Sequence, residues 1–311
     1  MIEAKNISKD YILKNKTIAA INDVTFSIRA GETVGLIGEN GAGKSTLIKM
    51  LCGILTPSQG TCTVNGLIPY KKRKENAFNI GTLFGQRSQL WWDLPVLDTF
   101  EVIKIMYRID KEKYSFMKNW VIENFELENV LNQPVRTLSL GQRMKAELAA
   151  TLIHCPQILY LDEPTIGLDI LVKHKIRDVL LKYQKLNNAT LIITSHDLSD
   201  IKELCSRIIV LDNGKLLYDG SINQFEQKYG GKVNISFVCE NNTAQLVQEV
   251  NNQFTLDNTI VNGQNVCFIL PDKMKISELI GVIGNACSLD TLEIKNNSME
   301  EIVKKIYESK D

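Results

Sequence analysis

The stretch Gly38-Glu39-Asn40-Gly41-Ala42-Gly43-Lys44-Ser45-Thr46, GENGAGKST, decides the fold. It fits G-x-x-x-x-G-K-[ST], with Gly38, Gly43, Lys44 and Ser45 at the fixed positions. Glycines let the backbone bend until several N–H groups of residues 38–46 point at one anion. Lys44 can set an ammonium on the β- and γ-phosphates of a nucleotide. Ser45 can set its hydroxyl on Mg2+. The context agrees. Thr33–Ile37 reads as a short buried strand entering the loop, and Leu47, Ile48 and Leu51 follow at helical spacing. The positive end of that helix then faces the phosphates. Strand, loop and helix in this order predict an α/β core of the P-loop NTPase kind.

Upstream, Ile2–Ile7 and Val24–Ile28 alternate in strand fashion and predict a β-rich N-terminal subdomain. Tyr11 there suits either an adenine-stacking ring or a half-buried strand position. Downstream, Thr61–Val64 with the Asn65-Gly66 turn suggests a hairpin. The basic run Lys71–Lys74 reads as solvated surface. Asn79–Phe84 reads as a strand, and Gln86 just past its end is in reach of a metal or a water. Residues of about 87–155 lose strand character and predict a helical insertion. Asp98 and Glu101 suggest a capping pair for one helix, and a second runs from about Lys111 to Phe125. Trp91 and Trp92 stand at its entrance. Adjacent indoles do not share one face, so either one is exposed for a protein contact or both pack under the loop.

Leu138-Ser139-Leu140-Gly141-Gln142 precedes a helix with Met144, Leu148 and Leu152 on one stripe. A hydroxyl and a glycine before a helix make an anion site or a plain cap. Ile158–Leu161 is a buried apolar run ending in Asp162-Glu163. Two acids at a strand end are costly without a cation. Asp162 is therefore placed to hold Mg2+ and Glu163 to polarise a water, unless the pair caps a helix. Gly167-Leu168-Asp169 precedes a helix of about 170–186. The strand Thr190–Thr194 ends in Ser195-His196-Asp197, so His196 lies at the rim where open α/β sheets bind ligands. Arg207–Leu211 and Lys215–Tyr218 make a closing hairpin. From Gly230 the pattern restarts in the order βαββαβ, ending in an amphipathic helix over 298–307. This predicts a core of 1–229 and a small α+β domain of 230–311.

Composition narrows the classes. Lys and Arg total 36 and Asp and Glu total 36, which speaks against a broad nucleic-acid surface. The chain has no run of eighteen apolar residues, and MIEAKNISKDY has no signal-type apolar core. The seven cysteines are scattered without a C-x-x-C pair and read as reduced core thiols in a cytosolic chain.

Taken together and in order, GENGAGKST, Gln86, LSLGQ, ILYLDEPT, GLD and His196 resemble the ATP-binding cassette (ABC) ATPases, the motor subunits of ABC transporters, over residues 1 to 228. The family pattern is LSGGQ, and Leu140 here replaces its first glycine. That variant, with FGQRSQLWWDLPV, resembles cassettes of exporter type, drug-efflux kinds included. The resemblance implies ATP and Mg2+ as ligands. It implies that Lys44 and the loop amides of Gly38 to Thr46 bind the β/γ-phosphates and that Ser45, Gln86 and Asp162 serve Mg2+. It implies Glu163 as catalytic base, His196 on the γ-phosphate and attacking water, and Tyr11 as the adenine-stacking ring. Ser139, Gly141 and Gln142 would act in trans on ATP held by a second copy, with Asp169 bridging the copies. A homodimer on the cytoplasmic face of a membrane, bound to a separate transmembrane permease and not to nucleic acid, is the expected assembly; a soluble non-transport cassette ATPase acting on ribosomes or DNA, or an importer ATPase, is the alternative.

Overall fold

In the N-terminal residues β1 (Ile2–Leu13) lies between β2 (Lys16–Ile28) and β4 (Gln59–Val64), with both pairings antiparallel. Ile2, Ala4 and, past a register shift, Ile7 turn inward and are almost wholly buried, as a one-sided sheet requires. The Asn65-Gly66 turn does not open a second strand. It closes on the single pair Val64 and Leu67, because β4 uses its length against β1. The computed structural model describes residues 1–13, 16–84, 88–195, 197–230, 232–239, 243–271, 276–287, 291–296, 299 and 302–303.

The central sheet has six strands. β3 (Thr33–Ile37), β5 (Ile80–Phe84), β6 (Ile158–Asp162), β7 (Thr190–Thr194), β8 (Arg207–Asp212) and β9 (Lys215–Ser221) run in the order β5-β6-β7-β3-β8-β9. All neighbours are parallel except the hairpin β8-β9. Every residue of β3 and β7 is buried, which explains their unbroken apolar runs: both faces are covered, one of them by the β1-β2-β4 sheet together with the helix after β3. Register sets the carboxyl ends level. Phe84 pairs with Asp162, Asp162 with Thr194, and Thr194 with Leu36. One edge of the sheet therefore carries the end of β6, the end of β7 and the loop leaving β3, as the rule for ligand sites in open sheets demands.

Helices α1 (Lys44–Leu51), α6 (Ile170–Asn187) and α7 (Leu198–Leu204) follow these strands, and a short α2 (Arg73–Asn79) precedes β5. Asn79 thus ends a helix instead of opening the strand. Between β5 and β6 the described chain is helical: α3 (Val96–Met106), α4 (Lys111–Phe125), a 3-10 turn (Val135–Thr137) and α5 (Leu140–Leu152). Asp98 and Glu101 do not cap α3. The helix starts at Val96 behind Pro95, which puts Asp98 inside the first turn, and Glu101 accepts the Tyr114 hydroxyl at 2.8 Å. Trp91 and Trp92 are both exposed, at 42% and 52%. The chain turns at residues 91–94, so neither indole belongs to a helix or strand of its own.

The residues form two compact units, Met1–Ile222 and Asn223–Asp311. The division comes before Gly230 because the helical turns α8 (Ile222–Phe225) and Glu226–Gly230 carry no breaker at their start. The second unit holds β10 (Lys232–Val238), α9 (Thr243–Gln253), β11 (Asn258–Asn262), β12 (Asn265–Pro271), α10 (Ile276–Ala286) and β13 (Glu293–Asn296). Its antiparallel sheet has the order β11-β12-β10-β13, the split-βαβ arrangement, over its own core of Ile235, Phe268, Leu279 and Ile283. The last strand starts at Glu293, and most of the expected helix over 298–307 lies outside the described residues.

Candidate nucleotide site

The loop leaving β3 is shaped by two close approaches. Gly43 has φ 102°, and a Cβ there would sit 2.5 Å from the Ala20 carbonyl oxygen. At Gly38 a Cβ would sit 2.7 Å from the Leu211 carbonyl oxygen. Strands β2 and β8 press on the loop, so only glycine fits at either place. Lys44 opens α1. Its ammonium is buried and donates to the carbonyls of Gly38 at 2.6 Å and Glu39 at 3.0 Å. Burial lowers the Lys44 pKa, and the charges of Glu163, Asp162 and Glu39 oppose that shift. A buried cation held near carboxylates is suited to a polyanion bearing a divalent ion.

Asp162 ends β6 and faces this loop. Its Oδ2 lies 3.5 Å from the Ser45 hydroxyl, and its Oδ1 accepts the Thr194 hydroxyl at 2.6 Å. The Thr194 oxygen also accepts the Glu163 N–H at 3.1 Å, and the Thr194 carbonyl accepts the same N–H at 3.1 Å. One residue of β7 thereby positions both acids. Glu163 has φ 55°, a left-handed backbone that is unusual for a glutamate and turns the chain off the strand end. Among the described residues no group of three His, Cys, Asp or Glu could hold a metal by itself. Ser45 and Asp162 instead supply two hard oxygens, the number that suits Mg2+ shared with substrate phosphates.

These groups line one cavity of about 900 Å³ with Tyr11, Glu39, Asn40, Gly41, Gly43, Lys44, Ser45, Thr46, Lys49, Ile54, Leu55, Phe84, Asp162, Glu163 and Ile166. Tyr11 is 37% exposed, and the Lys9 ammonium lies 5.7 Å from its ring centroid. Gly38 and Ala42 belong to the loop but do not line the cavity. Nor do Ser139, Gly141, Gln142 and Asp169. Ser139 caps α5 in a reciprocal box. Its hydroxyl accepts the Gln142 N–H at 3.3 Å, and the Gln142 side chain accepts the Ser139 N–H at 2.9 Å. Asp169 caps α6 by accepting the Val172 N–H at 3.0 Å. Leu140 and Gly141 join these two helix starts. A Cβ on Gly167 would meet Leu140 Cδ2 at 3.3 Å, and one on Gly141 would meet Val172 Cγ2 at 3.3 Å. Gln86 and His196 lie outside the described residues.

Sequence reasoning missed the buried cluster behind the two acids. Asp200 is 1% exposed and pairs with Arg177, which is 5% exposed and donates to it through Nε at 2.8 Å and through Nη2. Asp200 also accepts the Thr165 hydroxyl, two residues after Glu163, and the Ser195 hydroxyl at 3.4 Å. Breaking such a pair costs about 3–5 kcal/mol, so this hub holds the strand-end loops rigidly. An arginine inside a helix and an aspartate inside another gave no periodic signal of their meeting. Thr194 was legible only as the last residue of a strand.

Comparison with known proteins agrees with this geometry. Residues 21–166 match the family model of the ABC transporter. The chain is 31% identical over 241 residues to the ABC transporter ATP-binding protein NatA of Bacillus subtilis, covering 77% of this chain and 98% of that one. It is 33% identical over 226 residues to the methionine import ATP-binding protein MetN 2 of Listeria monocytogenes, covering 71% and 66%. It is 34% identical over 210 residues to the Nod factor export ATP-binding protein I of Neorhizobium galegae, covering 67% and 59%. Among solved structures, a dimeric post-hydrolysis state of an ATP-binding cassette bound to ADP and Pi is similar, with a TM-score of 0.64 and 26% identity, over 71% of this chain and 99% of that one. A phosphate loop, two acids at the end of β6 facing it and a relative matched over 98% of its length have one reading: the chain belongs to the ATP-binding subunits of ABC transporters and is an ATP hydrolase.

Proposed function

We propose that two copies of this chain close face to face on two ATP molecules and drive export through a separate transmembrane permease. The observation that carries this reading is the split of the site. Lys44, Ser45, Asp162 and Glu163 gather at one cavity, while Ser139, Gly141 and Gln142 stand on a helix start outside it. A γ-phosphate in the cavity would then be met from its far side by Ser139, Gly141 and Gln142 of a second chain, with Asp169 at the seam. In this reading Lys44 and the loop N–H groups hold the β- and γ-phosphates, and Tyr11 stacks on the adenine. Ser45, Asp162 and Gln86 would hold Mg2+, which would neutralise charge on the phosphate oxygens. Glu163 takes the proton of the attacking water and His196 contacts the γ-phosphate. Thr194 keeps the metal-binding acid and the base in fixed register.

Direction and partner rest on other features. FGQRSQLWWDLPV and LSLGQ resemble the corresponding stretches of exporter-type cassettes, and a named exporter subunit is among the relatives. Trp91 and Trp92, both exposed beside Leu94, offer an apolar docking point for the permease. No described helix is long and apolar enough to cross a membrane. In this reading the chain attaches to the cytoplasmic face through that partner. The small α+β domain expected over 230–311 is an accessory domain. Import is the second reading, favoured by the similarity to MetN 2.

The test is Glu163→Gln, which keeps the shape of the base and removes its basicity. With ATP and Mg2+ the variant is expected to elute as a stable dimer and to lose at least roughly 100-fold in turnover. A monomer at saturating ATP, or turnover at the wild-type rate, sinks the reading. Transport of substrate into sealed inside-out vesicles carrying the permease separates export from import.

A further inference from the structure

The segment that enters the helical insertion is fastened to α5 by a carboxylate that the mechanism above does not use. Glu147 is 4% exposed and lies in the middle of α5. One of its oxygens accepts the Ser88 hydroxyl and the other accepts the Gln89 N–H at 2.9 Å. The Ser88 oxygen in turn accepts the Leu90 N–H at 3.1 Å. Gln89 adds a second tie. Its side-chain amide donates to the Thr82 carbonyl of β5 at 2.5 Å and to the Thr151 hydroxyl of α5 at 3.0 Å. One turn before Glu147, the Arg143 guanidinium lies 5.7 Å from the Trp92 ring centroid. Arg143, Glu147 and Thr151 are spaced at i, i+4 and i+8, so a single face of α5 grips residues 88–92.

A buried carboxylate costs several kcal/mol unless donors surround it, and an apolar side chain would fill the same space without that cost. Two donors drawn from the consecutive residues Ser88 and Gln89 make this one a clamp on a particular stretch of backbone. The stretch follows Gln86 in sequence by two residues and leads directly into Trp91-Trp92. The helix that holds it begins at the Ser139 cap. We infer that Glu147 is a positioning residue that latches residues 88–92 to α5, so that a displacement at the exposed indoles and the placement of Ser139 are mechanically one event. The inference rests on the proposed roles of Gln86 and Ser139. It adds the element that makes them move together.

The test uses the purified full chain and steady-state ATP turnover. Glu147→Ala removes both acceptor oxygens and is expected to lower kcat roughly tenfold with KM for ATP within about twofold. Glu147→Gln is the rescue variant. Its amide oxygen can still accept the Gln89 N–H and its NH2 can donate to Ser88 Oγ, so most of kcat should return. In the Glu147→Ala background, Ser88→Ala should change nothing further, because the two groups act as one unit. If Glu147→Ala lowers Tm but leaves kcat and KM at wild-type values, the carboxylate only packs the insertion and the inference is overturned. If Glu147→Ala does not fold, Ser88→Ala alone decides: kcat lowered about threefold at constant KM supports the latch, and unchanged kcat overturns it. Glu163→Gln run in parallel separates the two failures. Turnover that survives in it removes the reading of the site, whereas its loss beside an unimpaired Glu147→Ala removes the latch alone.

Discussion

Thr194 shows how a residue without chemistry of its own can govern a site. Its hydroxyl donates to Asp162 and its oxygens receive the Glu163 N–H, so both acids take their orientation from one side chain on the neighbouring strand. Thr194→Val keeps the volume and the β-branch but removes the donor. Asp162 Oδ1 then loses a buried partner and turns away from Ser45. A decrease in kcat of roughly 10–100-fold is expected, the usual scale for groups that orient metal-binding carboxylates. Measuring the Mg2+ concentration for half-maximal activity checks the cause. It should rise in the variant, and an unchanged Mg2+ requirement would mean that Thr194 does not act through Asp162.

At the scale of one element, α5 carries two loads at its first turn. Ser139 caps the helix, and in the proposed dimer the same residue meets a γ-phosphate. Substitutions can separate the two. Ser139→Ala removes the capping oxygen and should lower stability by about 1 kcal/mol, read from urea denaturation. Ser139→Asp keeps a capping oxygen, and its charge suits the helix dipole, so stability should hold. That carboxylate would face an anion across the interface, so the Glu163→Gln, Ser139→Asp double variant should stay monomeric with ATP. A dimer of normal strength would place the serine away from the nucleotide. Leu140 belongs to the same element. It packs over Gly167 and so ties the start of α5 to the segment before α6, a contact that a glycine at this position would not make.

At the scale of the whole molecule, the chain has two units with separate apolar cores. Each buries its own strands, so each should unfold on its own. Calorimetry of the full chain is expected to show two transitions, and ATP with Mg2+ should raise only the larger one, because ligand stabilises the unit that binds it. A single transition shifted as a whole by ATP would mean that the units are coupled in solution.

Much of this was determined by the sequence itself. GENGAGKST, LYLDE and LSLGQ announce their geometry because each couples a backbone requirement to a side-chain one over a few residues. Strands β3, β6 and β7 were legible because burial on both faces leaves unbroken apolar runs. The short helix α2 and the start of α3 were not, since no periodic stripe marks so brief an element and the cap of α3 is made by position instead of by a side chain. Tertiary structure alone decided which residues meet. Strand order put Thr194 beside Asp162, helix packing brought Arg177 onto Asp200, and the return of the insertion laid Ser88–Leu90 over Glu147. These partners are far apart in the chain, and a single buried charge carries no local sign of the group that will neutralise it.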